Sequence, residues 1–214
     1  MRVFRAAVVS ISPLLLISTT EVSRAQQPPA DGYHITTASL VGGVYETGPL
    51  KTRHATIYKL TEAGTSAGIS QRYAADGSSL GQDVWLAKSG QMGVAINPSG
   101  GVYDRIMPNG ILRSAQIFGL SGTGAMLGDV ARFAADGTGT GRQAWLHPVA
   151  GNTVVLGLSG AGYSYMSNGA VFVRSTPSSL SDNGLATGMS TRYASSGVEL
   201  GQDAGSPTRR EIPH

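Results

Sequence analysis

Three arginine–aromatic pairs recur along the chain at one regular interval, and two tryptophans recur at the same interval. The set consists of Arg72, Tyr73, Trp85, Arg132, Phe133, Trp145, Arg192 and Tyr193. Arginines beside aromatic rings could bind a glycan or an acidic polymer. An arginine stem also covers apolar surface, however, and tryptophans fill cores. Because recurrence in every copy is typical of structural residues, we prefer a structural interpretation and keep ligand binding as the alternative.

The remaining reactive side chains do not form a pattern that predicts catalysis. The four histidines, His34, His54, His147 and His214, have no common spacing and do not recur between copies. The sequence contains no HExxH, GxSxG, Walker lysine or SxxK motif. We therefore expect no catalytic residues and no enzymatic activity.

Two aspartates at close spacing resemble part of a calcium loop, because Ca²⁺ prefers oxygen ligands. These are Asp76 and Asp83, but the second copy has Gln143 in place of Asp83, and the third has Ser196 in place of Asp76. The Asp-Gly dipeptide at 76–77 is typical of a hairpin turn. The glycine-rich stretches lack the GxGxxG order of a dinucleotide site. We expect turns here, with no metal and no cofactor.

The segment that must position these side chains is repeated along the chain. Leu60–Leu86 aligns without a gap with Leu120–Leu146, and Leu180–Ala204 keeps the same spacing. The copies share leucine, glycine, arginine and aromatic positions. A fixed period of this length is typical of solenoids, propellers and arrays.

The repeat predicts short strands joined by tight turns. Glycine accounts for 30 of 214 residues, and this abundance disfavours long helices. In the second copy we predict strands over Ile111–Leu120, about Ala125–Ala134, Arg142–Leu146 and Asn152–Leu158, with a hairpin loop beginning at Asp136-Gly137. Four meandering strands per unit are typical of a propeller blade. The predicted fold class is all-β, built of tandem four-stranded antiparallel repeats of about 60 residues in a partial or open propeller-like array.

This pattern resembles the HAF-type extracellular repeats of bacterial secreted and surface proteins. The resemblance rests on the three copies above and on the connectors Leu40–Tyr45 and Gly157–Tyr163, so it covers most of the chain that follows the N-terminal segment. It implies a β-propeller-like fold, secretion, and a binding or surface role without an established biochemical activity.

The third copy departs from the first two. Gly205 and Ser206 stand where the others have Trp and Leu, and a polar tail follows. The chain thus holds about two and a half repeats, fewer than the four to eight blades of closed propellers. Three alternatives follow: the chain is a truncated fragment of a longer repeat protein with no independent function, or it forms an open arc, or protomers assemble. An exposed end strand is a pairing hazard, so self-association through it is one expectation.

The function that fits best is a non-enzymatic secreted or cell-surface repeat protein with a binding or structural display role. Its ligand would be a glycan or a surface protein. A propeller-based carbohydrate-active enzyme is the competing class, but it would need carboxylates clustered on one rim at repeat-consistent positions.

The N-terminus predicts export to the periplasm, the cell surface or the medium. Arg2 and Arg5 precede a short apolar stretch, and Ser23-Arg24-Ala25 places small residues before a cleavage point. We expect a signal peptide at 1–25, a linker at 26–38, the repeat domain at 39–204 and a polar tail at 205–214. The apolar stretch is shorter than the roughly 20 residues of a membrane span, so we expect no span after cleavage.

Charge and cysteine content exclude further classes. Removal of residues 1–25 lowers Lys+Arg from 16 to 13 and Asp+Glu from 13 to 12, which leaves a net charge of +1. Since no basic stripe remains, we expect no nucleic-acid partner. The chain has no cysteine and hence no disulfide framework.

Overall fold

The structure, a computed structural model, describes residues 37–205. This part of the chain is predominantly β, with 53 % of residues in strands and 4 % in helices. The all-β prediction is confirmed at this level. The predicted signal peptide, most of the linker and nearly all of the polar tail lie outside the described residues. No helix within residues 37–205 is long and apolar enough to cross a membrane.

Fourteen strands and two short 3-10 helices make up the described residues. The helices are Gly43–Tyr45 and Gly101–Tyr103. The strands are β1 (Ala55–Leu60), β2 (Ser66–Tyr73), β3 (Ser79–Ala87), β4 (Val94–Ala95), β5 (Arg105–Met107), β6 (Gly110–Leu120), β7 (Met126–Phe133), β8 (Gly139–His147), β9 (Val154–Val155), β10 (Ser164–Ser167), β11 (Ala170–Val173), β12 (Ser175–Leu180), β13 (Ala186–Tyr193) and β14 (Glu199–Gly205).

Antiparallel neighbours dominate the sheets. The largest sheet runs in the order β1-β2-β3-β6-β7-β8-β9, with β4 paired to β3 and β5 paired to β6. Its one parallel contact joins β3 to β6 through only two residue pairs, Gly81↔Arg113 and Gln82↔Ser114. Strands β10 and β11 form a separate hairpin, and β12, β13 and β14 form a three-stranded sheet.

Strand pairing recurs at the interval of the sequence repeat. Ala55 pairs with Ser70, Ala115 with Val130, and Ser175 with Ser190. Each of these strand pairs also has a register shift two residues further along, where a bulge increases local twist. We therefore call residues 38–97, 98–157 and 158–205 the first, second and third repeat units.

Three of the four strands predicted in the second repeat unit lie close to their observed bounds, whereas the fourth is much shorter than predicted. Only Val154 and Val155 pair with β8. The N–H of Leu156 donates to Ala144 O at 2.7 Å, and Gly157 follows with φ of +118°, so the chain leaves the sheet there. The β-branched run at 152–158 favours a strand, but this glycine ends it.

The main apolar core lies between the first and second repeat units. Its buried members are Ala67, Val84, Ile96, Ala115, Leu120, Met126, Val130 and Trp145. A smaller cluster surrounds Trp85 with Leu40 and Ala87. Because the larger cluster draws on both units, burial of this apolar surface couples their stabilities.

Candidate functional site

Both predicted tryptophans are fully buried, each above a glycine on the strand beside it. Trp85 pairs with Gly68, and Trp145 pairs with Gly128. A Cβ added at Gly68 would lie 2.3 Å from the Trp85 ring, and one at Gly128 would lie 2.2 Å from the Trp145 ring. The glycines of β2 and β7 therefore make room for the ring of their own sheet neighbour. Neither indole has surface to offer a ligand.

The three recurrent arginines lie in three different environments. Arg72 is buried, and its Nη1 lies 2.5 Å from Asp83 Oδ2. Within the described residues, the Nε and Nη1 atoms of Arg132 are buried without a hydrogen-bond partner. Arg192 is half exposed, and its Nε lies 3.6 Å from Asp203 Oδ2. The same sequence position thus gives a closed ion pair, an unpaired cation and an open ion pair.

The three aromatic residues that follow these arginines are all half-buried. The ring of Tyr73 lies 6.2 Å from that of His54. Tyr193 belongs to a larger cluster, since its ring centroid is 4.9 Å from that of Tyr165. Tyr165 in turn stacks on Phe172 at 4.9 Å with an interplanar angle of 16°. Phe133 lies at the corresponding position of the second repeat unit. The structure therefore brings Tyr193 together with two aromatic residues that sequence analysis did not single out.

The centre of the buried polar network in the first repeat unit is Asp83. Arg113, which belongs to the second repeat unit, donates from Nη1 to both carboxylate oxygens of Asp83, at 2.9 and 3.2 Å. Tyr45 Oη donates to Oδ2 at 2.8 Å, and Asn97 Nδ2 donates to Oδ1 at 3.0 Å. With Arg72, four side chains therefore hold a fully buried carboxylate, which lies in β3.

Electrostatics keep Asp83 ionised although it is buried. Burial alone would raise the pKa of its carboxyl group, but the charges of Arg113 and Arg72 outweigh burial and lower it. The opposite effect acts on Tyr45, because burial and then the negative charge of Asp83 raise the pKa of its hydroxyl to about 12. The network is thus a tyrosine, a carboxylate and two arginines with complementary charges.

The second repeat unit has no aspartate at the position equivalent to Asp83. Gln143 replaces the aspartate and accepts a hydrogen bond from Tyr103 Oη at 3.1 Å. Val173 and Gly157 occupy the places of Arg113 and Asn97. Arg132 therefore has no carboxylate partner among the described residues, and burial lowers the pKa of its guanidinium. A partly buried cation without a counter-charge is unfavourable.

The third repeat unit has an aspartate, Asp203, at the position of Asp83, but this aspartate is exposed. Tyr163 Oη donates to Asp203 Oδ2 at 2.6 Å, as Tyr45 does to Asp83. The side chains of Arg192 and Asp203 are 51 % and 41 % exposed, whereas those of Arg72 and Asp83 are 8 % and 0 % exposed. The tyrosine, aspartate and arginine of the first repeat unit thus recur on an exposed face.

A cavity of about 200 Å³ adjoins this face. Its lining residues include Ala144, Leu156, Ser175, Gly188, Ser190 and Gly205. In the repeat alignment Gly205 takes the position of Trp145, and Gly188 takes that of the glycine beneath the indole. The cavity therefore corresponds to the position that a tryptophan ring fills in each of the first two repeat units.

Asp83 was missed because its replacement in the second copy hides its role, although the sequence held a signal. The partner tyrosines precede Asp83, Gln143 and Asp203 by 38, 40 and 40 residues. A recurrent tyrosine, arginine and acid at matching spacing indicates a shared network. No protein-family model matches the chain, and no curated protein or solved structure is significantly similar to it.

Proposed function

We propose that the chain is an exported, non-enzymatic repeat protein with a binding role, arranged as an open, propeller-like array of repeat units. The observation that carries the binding role is the aromatic cluster of the third repeat unit, formed by Tyr165, Phe172 and Tyr193. These rings are partly exposed, whereas the two tryptophans are fully buried. Partly exposed aromatic rings with a polar edge are typical of binding surfaces.

The ligand class that we propose is a glycan. Sugar rings present flat C–H faces that pack on aromatic rings, and their hydroxyl groups can bind the polar groups around them. Burial raises the pKa of the Tyr193 hydroxyl, and the two nearby charges act in opposite directions, since Glu199 raises that pKa and the exposed Arg174 lowers it. Glu199 opposes that arginine, so the cluster carries no strong net charge. This balance supports a neutral or weakly acidic glycan.

Affinity gel electrophoresis tests this proposal with gels that contain dextran, hydroxyethylcellulose or polygalacturonate. We expect at least one polymer to retard the protein, and Tyr193→Ala to weaken that binding by about tenfold. Tyr73→Ala is the matched control, because Tyr73 occupies the same position in the first repeat unit but lacks the cluster. Equal retardation of both variants, or no retardation of the parent protein by any polymer, would contradict the proposal.

A further inference from the structure

The face that is exposed on the third repeat unit is buried on the first repeat unit, where the second unit packs against it. Leu80 packs on the hairpin at Gly110 of the next repeat unit and is 2 % exposed, whereas Leu200 is 57 % exposed. A Cβ at Gly81 would lie 1.8 Å from Arg113 O, while one at Gly201 meets nothing within 4 Å among the described residues. The second repeat unit packs on this surface of the first repeat unit. The equivalent surface of the third repeat unit is exposed.

The first repeat unit shows the complementary surface at the opposite end. All six residues of β1 are exposed, whereas Ala115 and Leu120 at the matching positions of β6 are buried against the preceding unit. Leu60 is 63 % exposed and Leu120 is 2 % exposed. Within residues 37–205, the first repeat unit therefore has no preceding neighbour and the third has no following one.

The two exposed ends carry opposite charges at the positions that form an ion pair at the contact between the first and second repeat units. At the internal contact, Arg113 is held by Asp104, with Nε 2.7 Å from Oδ1, and donates to Asp83. Arg53 is the counterpart of Arg113 in the first repeat unit and forms a longer ion pair with Glu46, with Nε 3.8 Å from Oε1. Arg53 is exposed, and Asp203 is the equivalent of Asp83 that has no such arginine among the described residues.

We propose that two copies of this chain associate head to tail, with β1 and Arg53 of one copy docked on the third repeat unit of the other. Arg53 binds Asp203 across the interface as Arg113 binds Asp83 within the chain. Because the two surfaces differ, the contact is heterologous and leaves one free end on each side. Further copies then add until a ring closes, or they continue as a filament.

Sedimentation velocity of the full chain over a range of concentrations tests this proposal. We expect concentration-dependent association that weakens as salt rises, because an ion pair contributes to it. Asp203→Asn and Arg53→Gln should each raise the dissociation constant by more than about tenfold. Lys51→Gln and Glu199→Gln are matched controls, since each removes one exposed charge near the same site without removing the pair.

The decisive measurement mixes the two interface variants. Each alone lacks one of the two surfaces, but Asp203→Asn keeps an intact Arg53 end and Arg53→Gln keeps an intact Asp203 end. The mixture should form a 1:1 heterodimer that does not grow further. A monomeric mixture, a parent protein that stays monomeric, or an Arg53→Gln variant that associates like the parent would each overturn the proposal. Circular dichroism melting confirms that both variants fold, which is expected because both side chains are exposed in the monomer.

Discussion

The first and third repeat units contain the same tyrosine, aspartate and arginine, yet they use them differently. In the first unit, the second unit covers Asp83 and adds Arg113, so the carboxylate is fully buried and bound on both oxygens. In the third unit, Asp203 keeps its tyrosine but stays exposed. An ion pair gains strength from a low-dielectric surrounding and needs full hydrogen bonding to offset its desolvation. The neighbouring unit, rather than the triad itself, therefore decides whether these residues stabilise the fold or face a partner.

The largest change in stability should come from the position that holds Trp145 in the second repeat unit and Gly205 in the third. Trp145→Ala should cost about 3–5 kcal/mol, because its fully buried ring links the cores of the first two units. Gly205→Trp should instead raise stability by about 1–3 kcal/mol by filling the cavity at the matching position. Urea unfolding measures both changes. An unchanged midpoint for Trp145→Ala would mean that the indole does not support the core.

The next largest effect should come from the buried carboxylate. Asp83→Asn should lower the free energy of unfolding by about 3 kcal/mol, because it leaves the buried Arg72 without a counter-charge and leaves Arg113 with Asp104 alone, while the amide keeps some hydrogen bonds. Asp203→Asn, the matched change on the open face, should cost less than about 1 kcal/mol in the monomer. Equal losses in urea unfolding at low protein concentration would contradict the role that we assign to the neighbouring unit.

Much of the fold follows from the sequence because its local signals agree with one another. The repeat period, the Asp-Gly turn and the glycine content predicted β6, β7 and β8 with small errors at their ends. The fourth strand was predicted too long, because β-branched residues at 152–158 favour a strand while hydrogen bonding limits it to Val154–Val155. Propensity describes one segment at a time, whereas pairing depends on the strand beside it.

The candidate site was less accessible to sequence reasoning. Arg72, Arg132 and Arg192 were found because they recur, but only Arg72 and Arg192 pair with an aspartate on a neighbouring strand, and Arg132 has no acidic partner among the described residues. Arg113 reaches Asp83 across 30 residues of chain, and the third repeat unit has Val173 at the position equivalent to Arg113. The aromatic cluster on Tyr193 needs two residues of the β10–β11 hairpin that have no aromatic counterparts in the first unit. These contacts depend on how neighbouring repeat units pack, and the repeat period of the sequence does not specify that packing.

The second repeat unit offers a way to rebuild the buried ion pair. Gln143→Asp should raise the free energy of unfolding by about 1–2 kcal/mol, because it gives the buried guanidinium of Arg132 a charged acceptor. Gln143→Asn is the matched control, since it shortens the side chain without adding charge, and it should not stabilise the protein. Thermal melting at pH 7 distinguishes the two. A loss of stability in Gln143→Asp would show that desolvation outweighs the new pair.

The smallest expected effect concerns Tyr45 at high pH, and it separates the closed triad from the open one. Burial and then Asp83 raise the pKa of the Tyr45 hydroxyl to about 12, above the ordinary value of 10.0. A group whose pKa is higher in the folded state contributes stability that is complete below the unfolded pKa. That contribution is therefore present below pH 10 and is lost as the pH rises from about 10 to 12. Since solvent screens this half-buried group, we expect a loss of about 1–2 kcal/mol.

Tyr45→Phe cannot ionise, so the parent protein should lose stability relative to this variant over that pH window in urea unfolding. Tyr163→Phe is the matched change on the open face, where Tyr163 donates to an exposed carboxylate, and it should alter the alkaline profile less. Parallel profiles for the parent and Tyr45→Phe would mean that the hydroxyl of Tyr45 ionises in the folded protein as easily as in the unfolded chain.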